Sequence, residues 1–284
     1  MSAAFPPPFI VHGPQVPSSP VVLSVPHAGR DYPAALLRDS RLTARQLELL
    51  EDRHADRLAE PAIDAGFATI IACRARAWID LNRHEREIDP EMIDPRPASE
   101  GLIRSAKVTG GLGLMPRRLR GSGDILHRRV SAACLEERIA RDHRPYHARL
   151  AAMLRAARER FGVAILLDLH SMPPPAGGWD VVVGDLFGRS AHGRFPWLVR
   201  DIVAGQGYQV AMNTPYAGGH ILSTHGAPAR GIHAIQIEID RTLYLESDQS
   251  SARADLGGID ALILQLAGAL AEQALGRDAG IAAE

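Results

Sequence analysis

The chain has 284 residues, 46% of them apolar and 23% charged, with a formal net charge of −1 at neutral pH. That is enough chain to bury a full core, and the charge balance leaves no electrostatic footprint for nucleic acid or an anionic membrane. Two cysteines, Cys73 and Cys134, exclude a disulfide framework and fit a reducing compartment. Residues 1–8 lack the basic and apolar regions of a secretory signal, and no apolar run reaches the roughly 18 residues of a membrane span, so a cytoplasmic protein is expected.

Residues 1–19, rich in proline, read as an extended lead-in, and 20–284 as a single α/β domain. The first strand is expected over 21–26, ending in His27-Ala28-Gly29. A helix is expected over 43–65, with Thr43 as its N-cap and apolar residues at Leu47, Leu50, Ala55, Leu58 and Ile63. Gly66 stands where a helix stop belongs. Strands over 67–72 and 77–81 complete a β-α-β succession.

Periodicity is lost from about Glu85 to Asp124, a stretch rich in Pro, Gly and Arg that could act as a lid. Helical pattern returns over 130–160, interrupted or started at Pro145. A strand over 163–169, a short one over 181–183, a helix over 194–206 and an edge strand over 208–212 follow. A loop over 213–231, a strand over 233–239 and a C-terminal helix over 252–275 close the chain. The arginine clusters Arg117-Arg118-Leu119-Arg120 and Arg128-Arg129 read as solvated faces.

Four apolar runs end on residues that a buried strand has no reason to carry: His27, Asp80-Leu81-Asn82-Arg83, Asp168-Leu169-His170 and Glu238. Ligands of open α/β sheets bind beyond the carboxyl ends of the strands, so these residues look like a metal hydrolase site. His27 and His170 are candidate metal ligands, since neutral imidazole is a common zinc ligand. The third ligand is open among Asp52, Glu51, Asp56 and Asp31, with His54 competing; apolar Leu50, Ala55 and Leu58 around Asp52 turn it inward.

Asp168 could orient His170. Glu238, flanked by isoleucines, suits a general base beside a metal-bound water. Arg83 offers a fork for a carboxylate and Asn82 an amide donor. Arg76, with Arg74 as its competitor, could steady an oxyanion. His143 and His147 lack the Glu of a zincin helix and read as a surface or supporting pair. No nucleotide loop and no Gly-x-Ser-x-Gly elbow is present.

The segments SVPHAGRDYP (24–33), EDRHADRL (51–58), RAWIDLNRHE (76–85), RPYHARL (144–150), LLDLHSM (166–172), NTPYAGGHI (213–221) and HAIQIEIDRTLY (233–244) together resemble the N-formylglutamate amidohydrolase family. That family is similar in fold to zinc carboxypeptidases and aspartoacylase. The resemblance implies a three-layer α/β sandwich of phosphorylase/hydrolase type with a mostly parallel mixed sheet. It also implies one zinc per chain and hydrolysis of an N-acyl amide on an acidic amino acid, giving formate and glutamate in the namesake reaction; the family name points to histidine catabolism.

Carried over position by position, His27, Asp52 and His170 hold the metal, Glu238 is the base and Arg76 the oxyanion stabiliser. Arg83, Asn82, Asp80 and Gly219 contact the small-molecule substrate. One departure falls in the loop after Asn213, where the family usually has Pro-Phe-Lys-Gly-Gly-Tyr and this chain has Pro215-Tyr216-Ala217-Gly218-Gly219-His220. The missing lysine bears on substrate identity rather than on reaction type. The alternatives are a metal amidase acting on another acyl-amino acid or a peptidoglycan fragment, and a noncatalytic carboxylate-binding protein.

Overall fold

A computed structural model of the chain describes residues 7–276. Val and Ile dominate the apolar runs, and seven of these segments form one sheet: β1 (Phe9–His12), β2 (Val21–Val25), β3 (Ala68–Ala72), β4 (Ala164–Met172), β5 (Val181–Gly184), β6 (Val210–Met212) and β7 (Ile232–Asp240). Their order across the sheet is β1-β3-β2-β4-β7-β5-β6. β2 with β4, β4 with β7 and β5 with β6 are parallel, whereas β5 runs antiparallel to β7. The expected α/β class and mixed sheet are present, and β6 stands at the edge as its position in sequence suggested. β4 is buried along its full length, as suits a central strand covered on both faces.

The chain divides into two compact units. Among the described residues, one comprises 7–10 with Pro26–Arg53 and Ile71–Arg149; the other comprises Val11–Val25, His54–Ile70 and 150–276. In the second unit, helix Ile259–Ala274 packs against helices Arg194–Gly205 and Glu60–Asp64 and against β2 and β4. In the first unit, Leu36, Leu47, Leu50, Ala77 and Ile125 form a separate apolar cluster.

Two expected elements are corrected. Residues 77–81 form no strand: Trp78 N–H donates to Ala75 O and Arg83 N–H to Asp80 O, so the segment turns, and its apolar side chains are buried by a turn rather than by a sheet. The expected helix over 43–65 breaks into Ala44–Leu47, a 3-10 turn Glu48–Leu50, Ala55–Leu58 and Glu60–Asp64. The break comes at Glu51, whose backbone is extended, and His54 takes a left-handed φ of 59° before the next piece begins. Thr43 does cap the first piece, in a reciprocal box with Gln46.

The C-terminal helix begins at Ile259 instead of 252, because Gly257 and Gly258 adopt positive φ. The aperiodic stretch 85–124 holds short pieces, among them helix Ala106–Thr109 and the two-residue pair Arg118–Leu119 with Gly123–Asp124. Its Leu114 is fully buried, so this part of the segment belongs to the body of the unit.

Two glycines test this packing by denaturant titration. A Cβ at Gly184 would stand 2.7 Å from the carbonyl carbon of Ala217, so Gly184→Ala is expected to cost about 1–3 kcal/mol. Gly268, inside the last helix, faces open space, so Gly268→Ala is expected to add about 0.5–1 kcal/mol.

Candidate active site

In the first unit the turn at 75–83 leaves Asp80 fully buried. Its Oδ1 accepts the Asn82 backbone N–H and faces His27 Nε2, each at 2.8 Å, and its Oδ2 accepts Arg76 Nε–H at 2.9 Å. Burial works against the charge, but Arg76, Arg83 and His27 outweigh it and hold this carboxyl well below the usual carboxylate range. An ionised carboxylate only accepts, so the proton of a neutral His27 sits on Nε2 and the lone pair on Nδ1. Asp52 Oδ2 lies 3.3 Å from that Nδ1. Two lone pairs that face each other at this distance favour a cation.

Asp52 reaches this position because the helix is broken ahead of it, and its N–H donates to His27 O at 2.9 Å. Three of the four rival ligands are engaged elsewhere. Glu51 accepts from Tyr32 and from Arg53, at 2.8 Å in the latter case. Asp31 pairs with Arg74, and His54 Nε2 meets Ser250 O at 2.9 Å. Arg74 also donates to Asp142 at 3.2 Å, which leaves Arg76 as the arginine bonded to Asp80.

In the second unit the parallel register sets Ser24 beside Asp168, Asp168 beside Gln236, and His170 beside Glu238. Partners in register project from the same sheet face, so these five side chains form two adjacent rows. Ser24 Oγ–H donates to Asp168 Oδ1 at 2.7 Å, and His170 Nε2 lies 2.9 Å from Asp168 Oδ2. By the same tautomer argument His170 presents Nδ1 as its lone-pair nitrogen. Gln236 Nε2–H donates to Glu238 Oε1 at 2.9 Å, which fixes a buried carboxylate.

His27 and Asp52 in the first unit and His170 in the second are all buried and each offers an atom that could ligate a metal ion. Two imidazoles and a carboxylate are a donor set of catalytic zinc, and each imidazole has a buried carboxylate at its other nitrogen.

Arg83 is buried, with Nε–H donating to Leu112 O at 2.8 Å and Nη1–H to Asn82 O at 2.6 Å. Gly219 immediately precedes helix His220–His225. The loop before it is anchored at Asn213, whose Oδ1 accepts from the Asp185 and Phe187 N–H groups at 3.0 and 3.1 Å.

A model of the N-formylglutamate amidohydrolase family matches residues 19–245. The chain belongs to this family. It is 31% identical over 240 residues to an N-formylglutamate deformylase of Pseudomonas putida, covering 81% of this chain and 83% of that protein. It is 30% identical over 249 residues to an N-formylglutamate deformylase of Pseudomonas aeruginosa, covering 84% and 86%. A crystal structure of N-formylglutamate amidohydrolase from Ralstonia eutropha JMP134 superposes with a TM-score of 0.86 at 31% identity, over 94% of this chain and 98% of that one.

Within the family's fold, His143 and His147 are supports of the 74–83 turn, one of the two readings open to them in sequence, whereas Asp142 was missed. His143 Nε2–H reaches Arg83 O at 2.8 Å and His147 Nε2–H reaches Leu81 O at 2.9 Å. Asp142 accepts from Trp78 Nε1–H at 2.8 Å as well as from Arg74. Asp142 and His143 lie on a π-turn, Ile139–His143, just ahead of Pro145. The signal was a proline inside a helical pattern, preceded by polar residues that turn out to be buried. Ser24 was also missed, although a serine within Val-Val-Leu-Ser-Val was visible.

Burial lowers both His225 and His233 from 6.5 to about 4, with Arg194 and His192 adding to the effect at His233. Between those pH values the unfolded chain binds protons that the native chain refuses. Stability is therefore complete above about 6.5 and falls as pH drops towards 4. Thermal melts from pH 7.5 to 4.5 are expected to show this decline, and His225→Asn to flatten it; an unchanged slope would remove His225 as a source.

Proposed function

We propose that this chain is a zinc-dependent amidohydrolase that converts N-formyl-L-glutamate and water to formate and L-glutamate. Supporting the substrate are the names of relatives that align along most of the chain. The observation that carries the chemistry is the facing of His27 Nδ1 and Asp52 Oδ2 at 3.3 Å, and His170 is the proposed third ligand. His27, Asp52 and His170 would hold a zinc ion, which would supply a Lewis acid for the carbonyl and acidify the attacking water.

The chain's own residues do the rest. Glu238 accepts the proton of the attacking water, whose oxygen bonds to the formyl carbon, and passes it to the amine nitrogen as the C–N bond breaks. Asp80 and Asp168 hold His27 and His170 in the tautomers that expose Nδ1, so Asp80 positions a ligand rather than contacting substrate. Arg76, which keeps 18% of its side chain exposed while bonded to Asp80, steadies the oxyanion. Asn82 and Arg83, with Gly219, receive the substrate carboxylates. Cys73 and Cys134 are both free thiols, in keeping with a reducing, cytoplasmic setting. No helix among the described residues is long and apolar enough to cross a membrane.

The decisive experiment measures metal content of the purified protein together with formate release from N-formyl-L-glutamate. Stoichiometric zinc is expected, with release lost on chelation and restored by zinc. Glu238→Gln is expected to keep the metal and lose at least about 10²-fold in kcat; near-normal turnover would reject the base. Zinc without formate release, followed by activity on another N-acyl amino acid, would shift the substrate and point to Ala217, where the family's lysine is absent.

A further inference from the structure

We propose that the arginine-lined cavity beside Arg138, in the first unit, binds a small multivalent oxyanion of the phosphate type. The cavity has a volume of about 210 Å³, and its lining includes Arg38, Arg128, Arg129 and Arg138 against a single acid, Asp39. Four guanidinium groups and one carboxylate give this lining a net charge of +3, in a chain whose total is −1.

The rim and the wall of this cavity differ in kind. Arg38 and Arg128 share Asp39, and Arg129 reaches Glu91 at 3.4 Å; all three are exposed, where such pairs hold weakly. Arg138 is only 5% exposed. Its guanidinium stacks 3.4 Å over the Trp78 ring and Nη1–H donates to Trp78 O at 2.9 Å. Its Nε is buried without a hydrogen-bond partner, and among the described residues no carboxylate forms an ion pair with it. Burial pushes this guanidinium below its ordinary pKa, with Cys134, Asp142 and Asp39 only partly offsetting it.

A buried cation without a counter-charge is expensive to maintain, and an anion seated against it removes that cost. Guanidinium forks match the oxygens of phosphate in geometry as well as charge. The cavity is large enough to admit a phosphate group. The basic lining continues into a neighbouring cavity of about 200 Å³, which shares Arg128 and Arg129 and adds Arg41 and Arg117. The arginines that read as a solvated face in the sequence are thus the walls of a site.

Cys134 lines the same cavity and is partly exposed, so its thiol reports occupancy. The test follows alkylation of Cys134 by iodoacetamide, a neutral reagent, in the Cys73→Ser chain by intact mass. Phosphate replaces chloride at constant ionic strength, and malonate serves as a dicarboxylate arm. Phosphate is expected to slow labelling saturably, about fivefold at four times its Kd.

The protection should disappear in Arg138→Gln. It should also weaken in the Arg128→Gln/Arg129→Gln double variant, whose exposed positions leave the fold untouched. Labelling that phosphate does not slow relative to chloride overturns the proposal. So does protection undiminished in the double variant, and so does protection by malonate alone, which would make the site one for dicarboxylates.

Discussion

The carboxylate of Asp80 is the interaction on which the first unit's share of the site depends. A fully buried charge is tolerated only when every neighbour answers it, and here an imidazole, a guanidinium and a backbone amide do so. Removing one partner from such a group costs about 3–5 kcal/mol, because the remaining charge is stranded. The same carboxylate fixes the tautomer of His27 and holds the Asp80–Arg83 turn closed. Electrostatics that stabilise the fold and electrostatics that prepare a ligand are therefore one set of bonds. Asp168 repeats the arrangement in the second unit, with Ser24 as its second partner.

The sheet was legible because its strands are long apolar runs with a polar residue at the carboxyl end. β2, β4 and β7 stand where Val21-Val22-Leu23, Ile165-Leu166-Leu167 and Ile235-Gln236-Ile237 put them. The same criterion misled at Ala77–Leu81, since burial alone does not distinguish a strand from a turn packed under a loop; the Leu114 and Leu112 carbonyls that pin this turn come from a segment without periodicity. At Asp52 the inward direction was legible from its neighbours, although the reasoning assumed a continuous helix. What places Asp52 is a backbone hydrogen bond to His27 and the left-handed residue His54, and neither leaves a hydrophobic pattern. Long-range partners such as His143 with Arg83 O lie 60 residues apart and cannot be inferred from local spacing.

The strand rows and the loop after Asn213 are held in place in different ways. The ordered rows on β4 and β7 are set by main-chain register, which side-chain substitution hardly disturbs. The loop after Asn213 is instead held by one side chain and by close backbone approach, with Ala217 against Gly184. Its scaffold makes no use of the side chain at 217, because the anchoring atoms belong to Asn213 and the backbone. Such a loop can exchange the groups it presents without moving.

The π-turn at Ile139–His143 has a consequence for how this helix can vary. A π-turn is a helix carrying one residue more than its regular path requires, and each residue advances the side chains by about 100°. Deleting a residue ahead of Asp142 would turn the residues before the deletion by about 100° relative to those after it, so Leu135 could not keep its place together with Asp142, His143 and His147. Length here is a coordinate of the site, so descendants of this chain can change the identities of these residues more readily than their number.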